Sequence, residues 1–521
     1  MTKIPMGGGD EPCFSVTRRG SAVETTGPAR FFRGHVIAGE ASDSPDGIFA
    51  EWSWDGRRLI VRTDRYGASP LFFAHEGNRL TVSPSLVKLV EAGASTDFDE
   101  AALAVFLRLG FFLGDDTPFQ SIRTLPPNGT LVWDEGDVSL SGGYRFVPPQ
   151  RLSRDAAIDG FVQLFHDAMH RRPPAGDDVV VPLSGGRDSR HILFELCESG
   201  RRPAYTVTIP RFPPRASEDE RLAPLIARAL GLRHVLLAQT TSRFIPELRK
   251  NRDTHLCADE HAWYVAMVDE LSKSTGTLYD GLGGALSVPN RFLSREALTL
   301  FEAGQTRELA ARLLRSLSRS GEAFLMQVVR APYRAALSFD RAVDHFAAEL
   351  ERHRAAADPI KSFNFWNRIR RELALVPYAM MRAVPTVYSP YLDHGLYDFL
   401  SSLPPEIMSP TLTASDKSFH SEAVLRGYPR FAHIPFEDKA APRRDPRTSD
   451  ARFGADAARY LLPRIGFGSR LLNARYVMPR LLYGLGRRRY REAASWLPAL
   501  ALYLFQLDAV ARQIPASRRA A

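Results

Sequence analysis

One segment restricts the fold of this chain more than any other. Val179-Val180-Val181 reads as a buried strand, and it runs through Pro182-Leu183-Ser184-Gly185-Gly186-Arg187 into a helix that starts at Asp188. The same alternation follows: a helix over Asp188–Ser199, a strand over Ala204–Ile209, a helix over Ser217–Leu230 and a strand over His234–Leu237. Strands that alternate with helices at this spacing cannot pair as hairpins, so they form a parallel sheet covered by helices.

The 521 residues are too many for one ordinary core. Residues 31–150 read as a β-rich domain of short alternating stretches, such as Phe49-Ala50-Glu51-Trp52-Ser53-Trp54 and Arg58-Leu59-Ile60-Val61-Arg62. Turn signals break them at Asp55-Gly56, Glu76-Gly77-Asn78 and Pro127-Asn128-Gly129. One helix is predicted there, over Phe98–Leu109. Residues 1–30 are expected to be a flexible N-terminus, 151–450 the parallel-sheet domain, and 451–521 a basic helical extension. Beyond Glu296 the pattern is almost wholly helical, and there is no internal repeat.

The cysteines, Cys13, Cys197 and Cys257, form no CxxC pair, so neither a zinc site nor a disulfide framework is indicated. That usage fits a reducing cytoplasm, and no secretory signal is visible. The apolar run Trp496–Leu507 is interrupted by Pro498 and is too short for a transmembrane segment. The net charge of +9 is concentrated partly in Arg487, Arg488, Arg489 and Arg491. No aromatic-interleaved basic platform accompanies them, so a solvated face is expected and no nucleic-acid partner.

The chemistry lies in the turn after the first parallel strand. A Ser-Gly-Gly turn feeding a helix exposes backbone N–H groups and a helix N-terminus, a preorganised anion site. Gly185 and Gly186 let the backbone approach phosphate and supply φ > 0; Ser184 and Ser189 add hydroxyls, and Asp188 can ligate Mg2+. No lysine follows the glycines, which separates this loop from the GxxxxGK[ST] loop of kinases.

The loop resembles SGGxDS, the pyrophosphate loop of the ATP pyrophosphatases, and further segments narrow the resemblance to asparagine synthetases. These are Ser217-Glu218-Asp219-Glu220 with the helix behind it, Asp280-Gly281-Leu282-Gly283-Gly284 as a second Gly-rich loop, Ser389-Pro390-Tyr391-Leu392-Asp393-His394, and Leu403-Pro404-Pro405-Glu406. Lys417–Ala423 and Phe436-Glu437-Asp438-Lys439 match the last two motifs more loosely. Arg62–Phe73 resembles the RDxxGxxPLYY hairpin of the glutaminase half. The likeness runs from about Gly34 to about Pro446.

The resemblance implies a glutaminase-like β-sandwich followed by a doubly wound α/β domain, with ATP and Mg2+ as cofactors. A carboxylate would attack the α-phosphorus of ATP, and ammonia or an amine would displace AMP. Implied nucleotide contacts are Leu183, Ser184, Gly185, Gly186, Asp188, Ser189, Val207, Gly281 and Gly283; implied metal ligands are Asp188 and Asp280. Lys439 is the candidate cation for both transition states, with Asp188 supporting the first. The partners implied are a small-molecule or peptide carboxylate and an amine or ammonia, and a homodimer is compatible with this.

Three departures qualify the resemblance. Thr2 stands where glutaminases of this family carry their nucleophilic cysteine, and Cys13 would serve only after removal of twelve residues. Ala285-Leu286 replaces an Asp-Glu pair after the second Gly-rich loop, and Thr386 replaces a glutamate. Glutamine hydrolysis is therefore expected to be absent. Open alternatives are asparagine synthesis from ammonia, a natural-product or peptide cyclase of the β-lactam synthetase or lasso-cyclase type, a non-catalytic ATP-binding protein, and a tRNA-thiolase-like enzyme.

Overall fold

A computed structural model describes residues 10–37, 45–212, 218–318, 321–413, 415–437, 447–465, 469–483 and 496–513. The fold is mixed α/β, with fifteen strands among the described residues. Two antiparallel sheets come first. In chain order their strands are β1 (Phe14–Arg19), β2 (Ala22–Thr26), β3 (Arg30–Val36), β4 (Gly47–Trp54), β5 (Arg58–Thr63), β6 (Phe72–Glu76), β7 (Arg79–Ser83), β8 (Ile122–Thr124), β9 (Thr130–Asp134) and β10 (Asp137–Ser141). They are arranged β2-β1-β7-β6-β8 and β10-β9-β5-β4-β3. The inward residues of both, including Phe14, Trp52, Val61, Val82 and Trp133, form one core, because alternate residues of a strand point to the same face.

Residues 14–26 therefore belong to the first sheet, which corrects the expected flexible stretch 1–30. β2 is exposed along its whole length, so it carries no apolar alternation by which to recognise it. Two expected hairpins also prove to be crossings between the sheets. Pro127-Asn128-Gly129 links β8 to β9, with Asn128 at φ 51°. The segment after β5 reaches β6 through a turn built on buried Asp64, whose carboxylate accepts the N–H groups of Tyr66, Ala68 and Ser69 at 2.9, 3.2 and 3.3 Å.

The third sheet is parallel throughout. It comprises β11 (Val179–Pro182), β12 (Tyr205–Thr208), β13 (His234–Leu236), β14 (Thr277–Tyr279) and β15 (Thr386–Tyr388), arranged β13-β12-β11-β14-β15. The first strand in sequence lies at the centre, so the turn after β11 opens at the middle of the sheet's carboxyl edge, where open α/β sheets bind ligands. β15 is a strand within the stretch after Glu296 expected to be almost wholly helical. It is only three residues long, so it adds an edge strand that leaves little periodic signal.

The C-terminal region is built into the body of the protein. Helices Arg447–Ile465, Ala474–Tyr483 and Leu497–Ala511 bury Phe453, Leu461, Val477, Leu502 and Leu507 in the same core as the helix Glu100–Leu109. Phe106 stacks on Tyr503 with ring centroids 4.5 Å apart. The apolar run Trp496–Leu507 is thus a core helix, and no helix among the described residues is long and apolar enough to cross a membrane. Arg487, Arg488, Arg489 and Arg491 lie outside the described residues.

Candidate active site

The turn after β11 is held by its own side chains. The Leu183 N–H donates to the Val207 carbonyl at 2.8 Å, and the chain then leaves the sheet. The Ser184 N–H and Oγ meet Ser189 Oγ at 3.0 and 3.1 Å, and the Gly186 N–H donates to Ser184 Oγ at 3.1 Å. The Gly185 N–H donates to Asp219 Oδ1 at 2.8 Å, tying the turn to the helix Glu218–Ala229. Neither Gly185 nor Gly186 adopts positive φ, contrary to the expectation. What Gly185 supplies is close approach: a Cβ there would stand 3.0 Å from Leu222 Cδ1 and 3.2 Å from the Glu218 carbonyl oxygen.

The second Gly-rich segment packs directly on Asp188. A Cβ on Gly284 would lie 2.4 Å from Asp188 Cγ, and one on Gly281 would lie 3.1 Å from Asp188 Cβ. Gly283 has φ 90° and lets the turn pack on Tyr391 and Leu392. Asp280 opens the segment, and its carboxylate accepts the Leu282 N–H at 2.8 Å. Burial and the nearby Asp188 charge push the Asp280 carboxyl up to about 6, against the lowering effect of that N–H. Leu286 is 1 % exposed, so a core residue occupies one of the two positions where an acidic pair was expected.

Beneath Asp188 lies a histidine with no assigned role in the sequence analysis. His420 is fully buried, with Nδ1 3.3 Å from Asp188 Oδ1 and 2.8 Å from Ser287 Oγ. Its Nε2 is 3.2 Å from His191 Nδ1. Desolvation lowers the His420 pKa, although the Asp188 carboxylate opposes this. The Tyr391 hydroxyl donates to the Asp188 carbonyl at 3.1 Å. His420 sits within the quoted Lys417–Ala423 motif, but its partner is more than two hundred residues away, and no local pattern shows that pairing.

Arg187 and Arg190 anchor the chain that leads towards Lys439. Both lie over the Phe436 ring, at 4.7 and 4.5 Å from its centroid, and Arg190 donates to the Pro435 carbonyl at 2.8 Å. Glu437 is ion-paired with Lys417. Lys439 itself lies outside the described residues.

These elements enclose a cavity of about 240 Å³ whose wall includes Leu183, Ser184, Asp188, Ser189, Asp280 and Gly281. Six of the residues singled out from sequence thus meet at one place. Thr208 and Ile209 also face it, whereas Val207 is fully buried in the sheet core and contributes its backbone carbonyl to the turn. Another cluster of metal-ligand type, Glu260, His261 and Glu372, lies nearby. There the Arg368 guanidinium reaches Glu260 and Glu372 at 3.4 and 3.3 Å, supplying the counter-charge. Cys13 stands just before β1, and burial pushes its thiol up to about 11 despite Arg79 and Lys88.

The Asparagine synthase family model matches residues 160–429, just over half of the chain. The chain belongs to the asparagine synthase family. A Glutamine amidotransferase domain model matches residues 37–144 of this family member, which hold seven of the ten strands of the two antiparallel sheets, β4 to β10. Asparagine synthetase (glutamine-hydrolyzing) 2 of Bacillus subtilis (strain 168) is 26% identical over 216 residues, 37% of this chain. That match spans 28% of the relative's own length. Among solved structures, glutamine phosphoribosylpyrophosphate amidotransferase from B. subtilis, complexed with ADP and GMP, has 10% identity and a TM-score of 0.17. It covers 60% of this chain and 74% of that one, and a superposition so loose adds nothing to the description of the fold.

Proposed function

We propose that this asparagine synthase family member is an ATP-dependent, AMP-forming amide ligase. In the reaction a carboxylate oxygen attacks the α-phosphorus of ATP, the bond to the bridging oxygen breaks, and pyrophosphate leaves. An amine nitrogen then attacks the acyl carbon, loses a proton and displaces AMP. The observation that carries the reading is the meeting of two Gly-rich segments on Asp188, with Asp280 in the same cavity wall.

The residues fit both phosphates and a divalent cation. The Ser184–Ser189 turn sets the Ser184 and Ser189 hydroxyls at the N-terminus of the helix Asp188–Glu198, and a bound phosphate would compete with Asp219 and Ser184 Oγ for the Gly185 and Gly186 N–H groups. Burial and the Asp188 charge raise the cost of charging Asp280, and Mg2+ held by both carboxylates would relieve this while neutralising charge on the leaving pyrophosphate. Buried His420 fixes the Asp188 carboxylate from below. Transfer of phosphorus asks for positioning and charge neutralisation more than for a protein base, and this wall is built for that.

Glutamine as nitrogen source is not supported by Cys13, because a thiol held at about 11 is protonated at neutral pH. Free ammonia or an amine is the acceptor in this proposal. The test measures AMP and pyrophosphate release from Mg-ATP with L-aspartate plus ammonium, against a blank without aspartate. Aspartate-dependent AMP would support asparagine synthesis. ATP binding without turnover would exclude aspartate and leave another carboxylate, and absence of Mg-ATP binding would overturn the ligase assignment.

A further inference from the structure

Beside the candidate nucleotide cavity lies a larger one of about 440 Å³. The two share three wall residues, Arg211, His261 and Trp263. Three distant parts of the chain build the larger chamber: the helix Glu100–Leu109, the helix Phe244–Asp253 and the C-terminal helix Leu497–Ala511. The last of these lies beyond both matched regions, 37–144 and 160–429.

The chamber's lining has a definite polarity. Its apolar surface comes from Phe106, Trp263, Trp496, Leu500 and Tyr503. Several of its charges are engaged by neighbours, and the wall also carries the carboxylates of Asp259 and Glu260, the latter paired with Arg368 at 3.4 Å. Buried Glu247 takes Arg243 at 2.6 Å and Lys250 at 2.8 Å, and Lys250 also donates to the Ala258 carbonyl at 2.9 Å. Arg108 is committed to Glu322 and to the Ala104 and Leu337 carbonyls. Arg211 differs. Its side chain is 62 % exposed, it reaches Asp219 only at 4.0 Å, and it lies over the Trp263 ring at 5.2 Å. A guanidinium in that position, on the wall common to both cavities, is suited to a carboxylate.

We propose that the acid activated by this ligase is an amphipathic, aryl- or alkyl-bearing carboxylic acid. Its apolar body fills the chamber beneath the helix Leu497–Ala511, and its carboxylate lies at Arg211, facing the Ser184–Asp188 turn. A volume of about 440 Å³ falls within the roughly 300–1,000 Å³ of pockets that enclose drug-sized ligands. A four-carbon dicarboxylate such as aspartate would leave the aromatic wall without contact. Apolar burial favours the larger acid and the cation sets its orientation, so the two cavities together place one carboxylate beside one nucleotide. The proposal rests on the ligase reading for its chemistry, but the chamber can be tested by binding alone.

The probe is dansylglycine, an aromatic carboxylate, titrated into the full-length protein while emission sensitised by Trp263 and Trp496 is recorded. Saturable sensitised emission is expected in the wild type, with 10-fold excess L-aspartate failing to displace the probe. Ala499→Trp, which intrudes from the C-terminal helix, should weaken binding by about tenfold or more. Arg211→Gln, an exposed change that leaves the core intact, should weaken dansylglycine about tenfold and its uncharged amide hardly at all. No saturable emission, insensitivity to both variants, or displacement by L-aspartate would each overturn the assignment. Binding of a fluorescent ATP analogue, measured on the same samples, reports on the ligase reading separately: loss there with dansylglycine retained would remove the chemistry and leave the chamber.

Discussion

Replacing Gly284 by alanine adds one carbon at the point where the second Gly-rich segment presses on Asp188. The new Cβ would lie 2.4 Å from Cγ, 2.6 Å from Oδ1 and 2.8 Å from Cβ of that aspartate. Carbon contacts relax at ~3.5–4.0 Å, so the carboxylate must move by about 1 Å or swing away. The Gly284 φ is not positive, so alanine carries no backbone penalty there. The Asp188 side chain is 41 % exposed and can yield towards the cavity, which keeps the stability cost near the lower end of the ~1–3 kcal/mol typical of overpacking. Displacing a phosphate- and metal-facing carboxylate by that distance should instead weaken Mg2+-dependent binding of a fluorescent ATP analogue roughly 10- to 100-fold. Gly281→Ala offers a graded control, because its Cβ would stand 3.1 Å from Asp188 Cβ and needs a shift of only a few tenths of an ångström. The assay is a titration of the analogue at several Mg2+ concentrations, with thermal unfolding run alongside. Wild-type affinity and Mg2+ dependence in a folded Gly284→Ala protein would refute the claim that Asp188 holds the cation.

The Asp280 carboxyl, raised to about 6, is protonated as pH falls through that value, so Mg2+ affinity should drop about tenfold per pH unit below 6. Calorimetric Mg2+ titration from pH 5 to 8 reads this, and Asp280→Asn should flatten the profile. Asp393 is 1 % exposed, pairs with Arg171 and Arg172, and caps the helix His394–Ser402 by accepting the Gly395 and Leu396 N–H groups at 3.0 and 3.1 Å. Asp393→Asn should cost roughly 3–5 kcal/mol in urea unfolding, and a loss below about 1 kcal/mol would contradict the burial argument. Cys13, held at about 11, should resist iodoacetamide near pH 7 and react about tenfold faster per unit of rising pH, followed by peptide mass analysis. Rapid neutral alkylation would show an activated thiol.

The parallel sheet was legible because its evidence is local. A valine strand, a turn with two glycines and a helix-opening aspartate lie within about ten residues, and the next two strand–helix units repeat the rhythm. Where the sequence pattern misled, the deciding contacts are remote. Pro127-Asn128-Gly129 has the composition of a hairpin turn, yet whether β8 and β9 pair or part depends on which sheet each joins. The site shows the same division. Ser184, Asp188 and Asp280 are singled out by their loops, whereas Asp219 and His420 lie in segments that carry the family resemblance but reach the candidate site only through contacts with residues far away along the chain. Asp219 stands in the Ser217–Glu220 segment, which resembles the family's helix but gives this carboxylate no role. The far wall of the second chamber comes from a segment whose apolar run reads only as too short to cross a membrane.

A first domain without an activated cysteine would be dispensable if glutamine hydrolysis were its only purpose. The interface indicates otherwise. Arg370 and Arg371, 3 % and 5 % exposed, extend from the parallel-sheet half into the first domain. Both donate to the Gly114 carbonyl, at 3.0 and 2.8 Å; Arg370 also reaches the Leu125 carbonyl at 2.8 Å and Arg371 the Asp116 carbonyl at 2.7 Å. Removing the first domain would strip both guanidiniums of these acceptors and leave them to water, at a cost of ~1.5–3 kcal/mol for each charge-assisted hydrogen bond lost. From the same domain comes the helix Glu100–Leu109, which supplies Phe106 to the larger chamber and stacks it on Tyr503 of the C-terminal helix. These contacts bind the domain to both the core and the chamber, independently of any chemistry at Cys13. On this argument the domain persists as a wall of the ligase half.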